Sequence, residues 1–243
     1  MARTVLITGA AGGLGSALVD AFATLGDTVV GTDLPGERLD ATGAAHGIET
    51  IGLDITDEGA VAEVIARVGE EHGVIDVLVN NAGVLHLHGP VVDLPVADFE
   101  ATIRVNILGT FAMTQAVARH MIERRARGAI VNISSIGGRQ PTPGMGAYES
   151  SKAAIDQMTR WAAIELAANG IRVNAVAPGP IATPMMREGM VPGSPLMEWI
   201  ERIPLKQFAE PEQVAAAAVF LASDGALDIT GVSLPVDGGQ LLA

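Results

Sequence analysis

Short runs of unbroken apolar residues alternate along this chain with longer stretches in which apolar positions recur every three or four residues. The short runs are Thr4 to Thr8, Thr28 to Thr32, Thr50 to Leu53, Val74 to Val79, Ala129 to Ile133, Arg172 to Ala177 and Val232 to Val236. Within them, "VLI", "VLV" and "AIVNI" offer no polar face. A strand that is apolar on both sides must be covered on both sides, which is the condition of a parallel sheet between two layers of helices. The intervening stretches, at about 10 to 25 residues, are long enough for the crossover helix that a parallel connection requires. The pattern predicts an α/β protein with a doubly wound parallel sheet of about seven strands.

No internal repeat, low-complexity tract or linker breaks the alternation, so residues 1–243 are expected to form one domain. At this length folding hides roughly 70% of the chain's surface, enough for one large core. The segment from Pro178 to Gln207 departs from the pattern: it is rich in proline and methionine and too long for an ordinary strand-to-helix connection. It is expected to form a flexible cover over an apolar pocket, since methionine adapts to irregular apolar surfaces.

Composition removes several classes of function. The 28 acidic residues outnumber the 15 basic ones, for a net charge of −13. A phosphate backbone is held by clustered Lys and Arg, so a nucleic-acid partner is not expected. The basic cluster Arg124-Arg125-Ala126-Arg127 follows an amphipathic stretch and is read as cations set against a helix C-terminal dipole. The chain has no cysteine, which excludes disulfides, thiolate metal sites and cysteine nucleophiles. No apolar run approaches the ~20 residues of a membrane span, and no cationic leader precedes an apolar stretch, so a cytoplasmic location is expected. His86 and His88 stand two apart without a paired carboxylate or a third ligand, and no metal is expected.

The first apolar run leads directly into Thr8-Gly9-Ala10-Ala11-Gly12-Gly13-Leu14-Gly15, and an Ala- and Leu-rich helical stretch follows. Glycines between a strand and a helix let the backbone turn sharply and approach a pyrophosphate, whose charge then rests on the helix N-terminus. The second strand is expected to end at Asp33, 18 residues past Gly15. A carboxylate there accepts hydrogen bonds from the adenosine ribose hydroxyls and repels a 2′-phosphate. At about 4 Å and an effective dielectric of about 20, that repulsion reaches about 4 kcal/mol. NAD is therefore expected in preference to NADP. Arg38, the nearest cation, is read as lying on the helix surface.

The stretch AYESSK holds Tyr148, the only tyrosine, and Lys152, one of two lysines. Four residues apart on a helix, they share one face, a turn apart. A free phenol, with a pKa of about 10, is a poor base at neutral pH, and a neighbouring ammonium favours the phenolate. The pair is a candidate acid/base device.

With these motifs in place the chain resembles, over essentially its whole length, the short-chain dehydrogenases/reductases. Thr8 to Gly15 has the form of that family's Thr-Gly-x-x-x-Gly-x-Gly, Asn80-Asn81-Ala82-Gly83 of its Asn-Asn-Ala-Gly, Asn106 of its helix asparagine, and Tyr148 to Lys152 of its Tyr-x-x-x-Lys. Ser135, 13 residues before the tyrosine, stands at the family's spacing for the catalytic serine, ahead of Ser134 as a candidate. Pro178-Gly179, with Ile181 and Thr183, is similar to the segment that grips the nicotinamide carboxamide, and Val236-Asp237-Gly238-Gly239 to the usual C-terminal strand end.

The resemblance implies a Rossmann fold and an NAD-dependent oxidoreductase that interconverts a secondary alcohol and a ketone. It implies Tyr148 as general acid/base, Lys152 as the group that lowers its pKa and binds the nicotinamide ribose, and Ser135 as the group that polarises the carbonyl. Asn106 would hold a water that relays protons through Lys152. By the same resemblance Gly9, Gly13, Leu14, Gly15, Asp33, Asp54, Ile55, Asn81 and Gly83 would serve the rest of the cofactor, with Asp54 as its adenine contact.

Ser135, Gly137, Met145, Tyr148, Met185 and Met186 are expected to bind the substrate, with Ile136, Met190 and Trp199 adding to an apolar wall whose charges are Arg139 and Arg187. Such a lining suits a small to medium apolar cyclic or aryl alcohol or ketone. A 3-ketoacyl-carrier-protein reductase or a sugar or polyol dehydrogenase of the same family is the alternative, and a non-enzymatic NAD-binding subunit a remoter one. Enoyl reductases space the tyrosine and lysine more widely, and sugar epimerases carry a longer C-terminal domain. The resemblance also implies a homotetramer joined through Ile103 to Arg119, Tyr148 to Ala168 and Leu234 to Ala243. Ala153, Ala154, Ala162 and Ala163 would offer a face for close packing.

Overall fold

The computed structural model describes residues 2–85, 89–182 and 195–243. Among these, seven strands form one sheet in which every pairing is parallel: β1 (Thr4–Thr8), β2 (Thr28–Asp33), β3 (Glu49–Gly52), β4 (Val77–Asn80), β5 (Gly128–Ile133), β6 (Ile171–Pro178) and β7 (Ser233–Val236). Their order is β3-β2-β1-β4-β5-β6-β7, so the chain winds outward from β1 in one direction, crosses back, and winds outward in the other. The reversal falls between β1 and β4. In sheets of this kind, the crevice beyond the strand C-termini at that point takes ligands.

The helices are α1 (Gly13–Thr24), α2 (Glu37–His46), α3 (Glu58–Glu71), α4 (Val96–Ile103), α5 (Thr110–Glu123), α6 (Gly146–Leu166), α7 (Pro195–Arg202) and α8 (Pro211–Ala222). Alternate residues of β1 enter two separate cores: Val5 and Ile7 pack with Leu18 and Phe22 of α1 and Leu221 of α8, while Leu6 packs with Val64 and Val68 of α3 and Met113 of α5. This is why the strand runs carry no polar face, and each such fully buried side chain contributes about 1.5–3 kcal/mol. The edges differ. No residue of β7 is fully buried, and in β3 only Ile51 is.

β4 begins at Val77, later than the Val74 start that the apolar run predicts. Side chains intercept the backbone here: the Asp76 carboxylate accepts the Thr4 N–H at 2.8 Å, and His120 Nε2 accepts the Ile75 N–H at 3.2 Å. The cluster Arg124 to Arg127 does follow the end of α5, with Arg124 as its C-cap. In the stretch from Pro178 to Gln207, the described residues include α7, whose Ile200 joins Ala182, Ile203 and Phe208 in a small separate cluster. That part of the expected flexible cover is packed structure. Ala163, one of the residues expected on an intersubunit face, is buried in the intrachain core. Among the described residues, no helix is long and apolar enough to cross a membrane.

Candidate active site

β1 delivers the chain to the reversal point, and Gly9, at φ 69°, turns it. A Cβ at Gly9 would stand 2.8 Å from Ala82 Cα, and one at Gly15 would run into the Gly9 carbonyl oxygen, so both positions exclude a side chain. Gly13 differs: a Cβ there would meet nothing within 4 Å and would occupy open space at the first turn of α1. That turn has no acidic residue, which leaves its N–H groups and dipole available to an anion. Asn81 laces the ends of β1 and β4 together. Its Nδ2 donates to Thr8 O (3.0 Å) and Gly9 O (2.9 Å), and Thr8 Oγ1 accepts the N–H groups of Asn81 and Ala82 at 3.1 and 3.0 Å.

The cavity over this turn has a volume of about 560 Å³. Gly9, Gly13, Leu14, Gly15, Asp33, Asp54, Ile55, Asn81 and Gly83, the residues expected to serve the cofactor, all line it. Asp33 is held there by two main-chain donors, the Ala11 N–H at 3.0 Å and the Leu34 N–H at 2.8 Å. Arg38 does not simply lie on the helix surface: its Nη2 donates to Ala11 O at 3.0 Å and it lines the same cavity. One carboxylate oxygen of Asp54 accepts from the Thr56 N–H and Oγ1 at 2.9 and 2.8 Å.

A second cavity of about 240 Å³ shares Leu14, Asn81 and Gly83 with the first and is also lined by Ser135, Tyr148, Lys152, Pro178, Gly179 and Ile181. Tyr148 and Lys152 stand in the first two turns of α6, with Lys152 Nζ 5.5 Å from the phenol ring centroid. Nζ donates to Ile133 O, at the end of β5, at 2.8 Å. The two neighbouring serines divide sharply. Ser134 is buried and donates to Lys152 O at 3.1 Å, whereas Ser135 forms a side-chain hydrogen bond with Tyr148.

Asn106 lies in a π-helical segment, Arg104–Gly109, between α4 and α5. Such widened turns concentrate at functional sites. Its buried amide accepts the Val84 N–H at 2.8 Å and donates to Val84 O and Ser151 Oγ, each at 3.0 Å. Ser151 Oγ in turn donates to Tyr148 O at 2.6 Å. With these three bonds, the side chain locks the turn after β4 to the start of α6.

Burial pushes the Tyr148 phenol above its ordinary pKa; the hydrogen bond with Ser135 pulls it back, and the Glu149 charge pushes it up again. Burial lowers Lys152 itself to about 8, with Asp156 acting in the opposite sense.

Of the expected substrate residues, Ser135 and Tyr148 line the smaller cavity, but Gly137 and Met145 line neither. Gly137 faces away: a Cβ on it would stand 2.8 Å from Glu149 Cγ. Met145 is the N-cap of α6. Arg139 turns from the pocket to Asp156 (3.3 Å) and Ser233 O (2.7 Å), and Trp199 packs edge-on against Phe208. Thr183, Met185, Met186, Arg187, Met190, His86 and His88 lie outside the described residues. Ser151 and Glu149 went unrecognised in the sequence, although both sit in AYESSK, and Ser151 is three residues from Tyr148 on the same helix. A distant group, Glu49, Glu71 and His72, brings metal-type ligands together, but Arg67 and His72 already pair with Glu49.

From residue 9 to 240 the chain matches a protein-family model described as Enoyl-(Acyl carrier protein) reductase. It is 42% identical to the 3-oxoacyl-[acyl-carrier-protein] reductase FabG of Thermotoga maritima, over 99% of this chain and 98% of that one. Among solved structures it is similar to NAD+-bound xylitol dehydrogenase, with a TM-score of 0.92, 32% identity and 98% of both chains covered. It is similar also to ElxO with NADP bound, with a TM-score of 0.93, 35% identity and 100% of both chains covered.

Proposed function

The chain belongs to the short-chain dehydrogenases/reductases, and on that premise we propose that it interconverts a secondary alcohol and a ketone with NAD, with Tyr148 as the general acid/base. The observation that carries this reading is the meeting of Ser135, Tyr148 and Lys152 on one cavity that runs into the glycine-lined one. The larger cavity suits a dinucleotide: open space over Gly13, an uncompensated helix N-terminus and a fixed carboxylate at Asp33 match a pyrophosphate and a ribose diol. When bound, the nicotinamide supplies the hydride acceptor or donor.

The remaining work falls to the protein's own groups. Tyr148 removes the hydroxyl proton in oxidation and returns it in reduction, the role for which a positioned acid/base contributes most. Ser135 Oγ accepts the Gly137 N–H at 3.1 Å, which orients its own proton toward Tyr148 and the substrate oxygen. Lys152 places a cation beneath the phenol and can exchange its proton near pH 8. Asn106 and Ser151 hold the catalytic end of α6 in register with β4.

Asp33 supports NAD over NADP, and Arg38, at the same end of the cavity, narrows the margin. Among the described residues Lys152 is the one charged side chain lining the smaller cavity, where Leu14, Val84, Leu85 and Ile181 stand beside the polar Asn81, Ser135 and Tyr148, and this supports an uncharged, small to medium substrate with an apolar body. The likeness to FabG favours a second reading, a ketoacyl thioester reductase. An apolar groove between α5 and α6, where Phe111 stacks on Trp161 at 5.9 Å beside the exposed Ile122, supports a homotetramer.

The test is NADH formation from NAD across cyclic, aryl and linear secondary alcohols, with polyols and a hydroxyacyl thioester included. Turnover of the apolar alcohols is expected. Turnover confined to the thioester would establish the second reading, and binding of NAD without any turnover would overturn both.

A further inference from the structure

One buried carboxylate at the site has no part in the chemistry above. Glu149 follows Tyr148 on α6, and its residue is only 7% exposed. Its Oε2 accepts the Thr142 N–H at 2.8 Å. Thr142 stands between Pro141 and Pro143, so its N–H is the sole main-chain donor in that three-residue run, because proline has none. A charge-assisted bond fixes it. The far side of Glu149 supports Gly137, whose Cα leaves no room for a Cβ against Glu149 Cγ and Oε1. The two contacts fall near the start and in the middle of the segment that joins Ser135 to Tyr148.

The segment is pinned at other points as well. The Met145 N–H donates to Thr142 O at 3.1 Å, and Gly144 O accepts the Gly89 N–H at 3.1 Å. From Gly137 the chain of contact continues to the reaction centre, because the Gly137 N–H occupies Ser135 Oγ at 3.1 Å. A lone pair held in that way leaves the serine proton free to point into the cavity that Ser135 shares with Tyr148, whose phenolate it favours.

We infer that Glu149 is a positioning residue for Ser135: its side chain holds the Ser135-to-Tyr148 connection at Gly137 and at Thr142 and, through Gly137, aims the serine hydroxyl at the phenol. The inference rests on the acid/base reading of Tyr148, which it extends to a group that touches neither substrate nor cofactor. The charge has a second effect. The groups facing the Tyr148 phenol are Ser135, Glu149 and Lys152, and of these Glu149 disfavours the phenolate. It therefore adds to burial, the larger influence, in favouring the acid form of Tyr148 that carbonyl reduction needs.

The experiment compares Glu149→Ala and Glu149→Gln, each alone and combined with Ser135→Ala. Glu149→Ala is expected to lower kcat about tenfold with the NAD dissociation constant unchanged, and to cause no further loss in the Ser135→Ala background, since the two act through one hydroxyl. Glu149→Gln, whose amide oxygen still accepts the Thr142 N–H, is expected to restore kcat and to move the rise of alcohol oxidation to lower pH. An equal additional loss in the Ser135→Ala background would overturn the inference. Amide hydrogen exchange keeps the clamp testable if no alcohol is turned over at all, an outcome that removes the acid/base reading instead. Exchange at Thr142 should accelerate in Glu149→Ala and be protected in Glu149→Gln, and unchanged exchange in Glu149→Ala would sink the clamp.

Discussion

The two ends of the cleft are built in opposite ways. At the glycine-lined end, the shape rests on atoms that are missing: at Gly9 and Gly15 a Cβ would collide with the backbone, and at Gly13 a Cβ would fill the space above α1. At the catalytic end it rests on atoms that are present and held, with Asn106, Ser151, Ser134 and Lys152 each bonded to a named main-chain partner. The first end should therefore fail when a methyl group is added, and the second when an oxygen is taken away.

The sharpest break is expected from Tyr148→Phe, which removes one oxygen. It should lower kcat by about 10²–10⁴, the usual contribution of a positioned acid/base, while NAD titration shows unaltered affinity. Adding one carbon gives the converse. Gly15→Ala should lower stability by about 1–3 kcal/mol in chemical unfolding, as overpacking does, and Gly13→Ala should leave stability intact while weakening NAD at least tenfold. An intermediate effect is expected from Asp33→Ser, which removes the repulsion while Arg38 remains: kcat/KM with NADP should rise about tenfold relative to NAD.

The smallest effect lies behind the catalytic end. Burial and the nearby Arg124 hold His120 below its ordinary pKa, and its Nε2 accepts the Ile75 N–H. The fold thus favours the neutral ring. Its contribution is present above the unfolded value of about 6.5 and is lost as pH falls from there through the lower folded value. Urea unfolding should show about 1 kcal/mol less stability at pH 5.5 than at pH 7.5, and His120→Gln should flatten the difference.

The same contrast explains what could be read from the sequence. The five inner strands were legible because each buries both faces, and the glycine turn because a missing side chain leaves a mark at its own position. The catalytic pair was legible because both members sit on one helix. Arg139 was misplaced because its partners, Asp156 and Ser233, are 17 and 94 residues away along the chain, and only the finished sheet brings β7 to α6. Gly137 was assigned to the substrate because nothing in its neighbourhood along the chain announces Glu149 beneath it. The π-helical turn at Asn106 was not anticipated either, since a helix of unusual pitch has the same apolar spacing as an ordinary one over so short a span.

The strand order has a consequence for how the molecule comes into being. β1 pairs on one side with β2, which follows it closely, but on the other with β4, where Val5 meets Val77. As the chain leaves the ribosome, β3, β2 and β1 can assemble together while the opposite edge of β1 stays bare until β4 has been synthesised. Non-local parallel pairing of this kind is slow, and an unpaired apolar edge invites other chains. Synthesis paused between α3 and β4 should therefore be the stage at which the nascent protein most depends on chaperones.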